Sequence, residues 1–175
     1  MRRLFAGAAL LVATASFAAA PAAAQSDMDF FVGGGLNLPS SDFGDAFKSG
    51  WVANAGLSFF STAEGRAKLW LEGLYTQNKF DDGTDDKSTI IGGLGSLTYN
   101  LTAGSTTTPY LIGSVGYLSQ KTTDGDDSTT ESGIGFGGGA GISFGKFYVE
   151  GRYLTASLFD NVTTAFIMAT VGITF

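Results

Sequence analysis

Few side chains in this 175-residue sequence could do chemistry, and the absences narrow the choice most. There is no His and no Cys. That excludes thiolate zinc sites, cysteine nucleophiles, a Ser-His-Asp relay and the commonest general base. Carboxylates remain, in two settings. Asp81, Asp82, Asp85 and Asp86, and then Asp124, Asp126 and Asp127, cluster with Gly, Thr and Ser. Calcium prefers several carboxylate oxygens, but EF-hand spacing is missing, so these runs read as solvated loop tips. Glu72 and Glu150 instead stand inside alternating apolar stretches, with Arg152 two residues after Glu150. No substrate pocket can be argued around the two acids, so no catalytic pair, metal or cofactor is expected. Gly135 to Ala140 loosely matches a dinucleotide fingerprint. That motif needs a helix opening after it, and here a strand pattern continues.

Charge and composition set the compartment and the class. A formal charge of −6 and a pI near 4.4 make nucleic-acid binding unsuitable, because that needs a basic footprint. Met1-Arg2-Arg3 followed by an apolar stretch from Leu4 to Phe17 reads as the start of a secretory signal. Ala22 and Ala24 form a small-residue cleavage site before Gln25. The expected organisation is therefore a signal peptide at 1–24 and one domain at 25–175. Removing 1–24 takes two basic residues and no acid, so the exported chain is more acidic still.

The elements that must position Glu72, Glu150 and Arg152 are strands. No later stretch has the ~18 consecutive apolar residues of a membrane helix. Period-two alternation recurs in eight segments, roughly 28–38, 51–60, 68–77, 89–101, 109–119, 133–144, 147–155 and 164–175. Most are near the ~9–11 residues with which a tilted strand crosses a bilayer. The connections at 39–50, 78–88 and 120–132 are long and polar, and 156–163 is shorter; those at 61–67, 102–108 and 145–146 are short. An up-and-down barrel with both termini in the periplasm puts its longer loops outside. Alternation alone also fits a soluble lipocalin-like barrel. The less apolar face carries Asn54, Glu72, Ser96, Thr98, Asn100, Glu150 and Arg152 with many Gly, which suits a narrow polar lumen. Tyr75, Tyr99, Tyr153, Phe59, Phe144 and Phe175 lie toward strand ends, where aromatic girdles form. The expected fold is all-β, an eight-stranded antiparallel up-and-down transmembrane barrel.

Within that frame the three charges share the inward phase at similar depth. The third and seventh strands face one another across eight strands, and long side chains bridge so narrow a lumen. A buried charge without a partner is costly, so a Glu72–Arg152–Glu150 cluster is expected.

The run Gly33-Gly34-Gly35-Leu36-Asn37-Leu38-Pro39, then Asp42-Phe43-Gly44, and the final Val171-Gly172-Ile173-Thr174-Phe175 carry a resemblance. With the signal peptide, they resemble the small eight-stranded outer-membrane β-barrel proteins of Gram-negative bacteria, the OmpA/OmpX-like and opacity-type porin-family group. The resemblance implies a multi-pass outer-membrane barrel in the cell envelope, with N- and C-termini periplasmic. It implies lipid and lipopolysaccharide as neighbours and an extracellular ligand of unknown kind. It further implies that the barrel-assembly machinery reads Phe175, Ile173 and Val171. Nothing follows Phe175, so the peptidoglycan-binding domain of some relatives is not expected. The function expected is non-catalytic, a structural and surface-interaction role through outer loops. A narrow porin-like channel or small-solute transporter is the alternative.

Overall fold

The computed structural model describes residues 28–62, 65–80, 87–102, 105–124, 127–159 and 162–175. Ala22, Ala24 and Gln25, the whole signal segment and Asp81–Asp86 lie outside the described residues.

Alternation becomes a closed sheet because each strand has one face for solvent or lipid and one for a shared interior. The strands are β1 (Phe30–Ser40), β2 (Gly50–Ser61), β3 (Ala67–Lys79), β4 (Lys87–Asn100), β5 (Thr107–Asp124), β6 (Asp127–Phe144), β7 (Phe147–Phe159) and β8 (Val162–Thr174). Each pairs antiparallel with its sequence neighbour, and β1 pairs with β8 to close the barrel. The start of β1 and the last residue of the chain meet at one end: the Phe30 amide donates to the Phe175 carbonyl at 3.1 Å, and the Phe175 amide donates to the Phe30 carbonyl at 2.7 Å. This end is called terminal below, and the other distal.

The outside is apolar. Val32, Leu36, Leu71, Ile91, Leu97, Leu111, Val115, Val149, Ile167 and Val171 are all exposed there. Water would penalise such a belt; hydrocarbon does not. Aromatics flank it. Phe30, Phe59, Tyr99, Phe144, Phe147 and Phe175 are exposed at the terminal end. Trp51 is stacked on Tyr75 with ring centroids 5.1 Å apart near the distal end.

Three features depart from the sequence reading. First, 120–132 is mostly strand. β5 and β6 each run 18 residues and stay paired to Asp124↔Asp127. At roughly 3.3 Å per residue and a tilt near 40°, such strands rise about 45 Å, well past a ~25 Å apolar band. The outer part has no apolar alternation to read; it is held by cross-strand Thr pairs such as Thr122↔Thr129. The 156–163 connection shrinks likewise, since β7 reaches Phe159 and β8 starts at Val162.

Second, the 39–50 connection contains a helical turn, α1 (Asp42–Ala46). Phe43 on this turn and Phe47 just after it are four residues apart and fold inward over the distal mouth. Phe43 meets Phe166 at 6.4 Å and Phe47 meets Phe80 at 4.3 Å between ring centroids.

Third, the lumen is charged in its terminal half only, and distally an apolar core joins the buried polar Asn37, Thr76, Asn78, Ser88, Gln120 and Thr164. Distally it is filled by Val52, Leu74, Ile90, Leu94, Leu118, Leu154, Phe166 and Met168, joined by Phe43 and Phe47. An eight-stranded interior has room only for side chains, and the large ones of this half are mostly apolar.

Candidate functional site

The charged half is built at one level by neighbouring strands. Glu72 on β3 is held near Asn54 of β2 and Ser96 of β4, while Ser114 of β5 and Arg152 of β7 complete the ring. Arg152 and Glu150 sit opposite Gly139 and Gly141 of β6 in register. These glycines give space rather than flexibility. A β-carbon at Gly139 would lie 2.1 Å from the Gly151 carbonyl oxygen, and one at Gly141 would lie 2.4 Å from the Tyr110 ring.

The structure brings Glu72, Arg152 and Glu150 together across the lumen. Arg152 Nη1 donates to Glu72 Oε2 at 2.7 Å and to Ser114 Oγ at 3.2 Å. Its Nη2 and Nε donate to Glu150 Oε1 at 2.6 and 2.9 Å. Asn54 Nδ2 donates to Glu72 Oε1 at 2.8 Å, and Ser96 Oγ to Glu72 Oε2 at 3.1 Å. Tyr110 donates its hydroxyl to Glu150 Oε2 at 3.0 Å. Glu72, Glu150 and Arg152 are all at most 5% exposed. Buried charges of this kind persist only when paired and hydrogen-bonded, and each has such partners.

Sequence reasoning placed Asn54 and Ser96 on this face but missed Ser114, Tyr110 and Tyr148. The phase contained the signal. Tyr148 is two residues below Glu150, and Tyr110 is four below Ser114, so each shares the inward face of its strand. Thr98 and Asn100 lie nearer the terminal end, where Trp70 Nε1 donates to Thr98 Oγ1 at 3.0 Å. Asn100 Nδ2 donates to the Gly65 carbonyl at 2.8 Å.

Below the cluster, toward the terminal end, a cavity of about 180 Å³ remains. Phe31, Trp70, Tyr110 and Tyr148 form its aromatic walls, and Glu72, Glu150 and Arg152 its floor. Lys68 stands at its mouth, ion-paired to Asp29. Among the described residues, no group of His, Asp or Glu is arranged to hold a metal ion. Val171 and Phe175 point outward and are more than half exposed, with Ile173 half-buried in the same phase.

The profile of the outer membrane protein beta-barrel domain matches residues 9–175. The chain belongs to that family. No curated protein matches the sequence. Solved structures give the same fold at low identity. Neisserial surface protein A is 16% identical with a TM-score of 0.61, covering 85% of this chain and 97% of its own. Ail of Yersinia pestis is 13% identical with a TM-score of 0.55, again covering 85% and 97%. The N-terminal barrel of Pseudomonas aeruginosa OprF is 12% identical with a TM-score of 0.52 over the same shares. This barrel is an outer-membrane protein. Its apolar belt is the face that such a location requires.

Proposed function

We propose that this barrel is a non-catalytic surface protein whose distal end faces outward and whose termini lie in the periplasm. The observation that carries the reading is the β5–β6 hairpin, which stays paired past the apolar belt to Asp124↔Asp127 and whose β6 residues 127–132 are polar and exposed. A projection of this length has no use inside the bilayer; it presents hydroxyls and carboxylates to whatever lies beyond it. Lipopolysaccharide would surround the distal aromatics. Residues 1–24 would be the export signal, cut between Ala24 and Gln25. Val171, Ile173 and Phe175 would be read by the barrel-assembly machinery.

Ail has been crystallised with a heparin analogue, sucrose octasulfate. That ligand class fits this chain poorly. The distal connections carry Asp42, Asp45, Asp81, Asp82, Asp85, Asp86, Asp126, Asp127 and Glu131, and a polyanion would be repelled. A neutral or basic extracellular partner suits the charge. The transport alternative is disfavoured by the lumen, which is filled by apolar side chains distally and crossed by the Arg152 cluster below them.

Two measurements test the proposal. Protease added to intact cells should cut in the 120–132 hairpin and spare the 61–67 turn; the reverse pattern would invert the orientation. In a planar bilayer the refolded protein should stay silent. Steady single-channel steps would establish the transport reading instead.

A further inference from the structure

We infer that the cavity at the terminal end binds a small organic monocation, an ammonium group carried on an aromatic or short alkyl body. Four observations converge. The floor holds two carboxylates and one guanidinium, so the buried cluster has an excess of one negative charge. In a site shielded from water such an excess attracts a compact cation more strongly than it would at the surface. Each carboxylate also keeps acceptor capacity: Glu72 Oε1 and Glu150 Oε2 receive one hydrogen bond apiece, and a carboxylate oxygen accepts two.

The walls suit the rest of such a ligand. Phe31, Trp70, Tyr110 and Tyr148 line the cavity, and ring faces attract cations through their quadrupole. The Lys68 ammonium already stands 6.0 Å from the Trp70 ring centroid at the mouth. Tyr148 contributes its ring face to this wall, while its hydroxyl is buried against Gly33 beside the Asn54 side chain. The space matches as well: about 180 Å³ holds a single-ring amine. Access is from the terminal mouth, past Asn100, Gly145 and Thr174, because the distal half is packed.

The test compares charge at constant shape, using the full barrel refolded in uncharged detergent, so it does not depend on membrane orientation or on the surface role proposed above. The probes are phenethylammonium and its neutral counterpart 2-phenylethanol. Trp51→Phe, on the outer face, leaves Trp70 as the fluorescent reporter, and calorimetry gives the affinity. The ammonium should bind saturably and about tenfold more tightly than the alcohol, the gain expected from ring faces and a carboxylate. Equal affinity for both probes, or no saturable response to either at millimolar concentration, would overturn the inference without needing any variant to fold.

Discussion

Arg152 has donors on both sides of the lumen, to Glu72 on β3 and Glu150 on its own strand. Removing it strands two carboxylates that are almost fully buried. Breaking a buried pair from one side costs about 3–5 kcal/mol, more than the intact pair contributes. Arg152→Ala should therefore lower the unfolding free energy by about that amount in urea titrations of the refolded barrel. Glu72→Gln with Arg152→Gln should recover part of the loss, and a double-mutant cycle should give a coupling above ~1 kcal/mol. Coupling near zero would mean that the charges are merely hydrated. The cluster's approximate composition was legible in the sequence because each charge interrupts an apolar alternation. Its tyrosines were not, since Tyr148 and Tyr110 resemble the outward girdle aromatics until strand phase and pairing are fixed.

The strands differ in where a charge can go. Ala169 lies near the middle of β8 and faces outward, between Leu36 of β1 and Gly151 of β7 in register. Ala169→Arg should cost about 2–4 kcal/mol and reduce assembled barrel, read as heat-modifiable migration on a gel. Thr130→Arg, in the outer part of β6, should be neutral in the same assay, because that segment lies beyond the apolar belt. Equal damage from both would contradict the height assigned to the hairpin. The α1 turn is a different element with a different test. Phe43 and Phe47 cap the distal core, and replacing either by Ala should lower stability by roughly 3–5 kcal/mol, by loss of aromatic burial. The bilayer should remain silent even so, because the Arg152 cluster closes the lumen independently.

Closure of the whole barrel depends on its last strand. β8 must pair with both β7 and β1, and its final residues meet β1 at Val32↔Ile173 and Phe31↔Thr174. Deleting Phe175 removes the amide and carbonyl that bond Phe30. It also removes the residue proposed to be read during assembly. The expected outcome is less folded protein in outer-membrane fractions, with spontaneous refolding in detergent reduced much less. An equal loss in both would mean that Phe175 acts only through strand closure.

The alternation of apolar and polar residues determined the strand count, the antiparallel up-and-down class and the lipid-facing phase, because a period of two assigns every side chain to one of two faces. Segments such as 164–175, where Ile167, Ala169 and Val171 face outward, needed no tertiary information. Connections were less legible. The pattern at 120–132 is polar on both faces, so nothing local separates a loop from a strand that has left the membrane; only the pairing of β5 with β6 decides it. The interior depended on tertiary structure most of all. Ile90, Leu94 and Leu118 point inward into one cluster with Phe166 and Met168, and strand stagger brings them together as an apolar core above a charged floor. Sequence supplies the phase of each strand, but the relative height of side chains on different strands comes from the shear of the closed barrel.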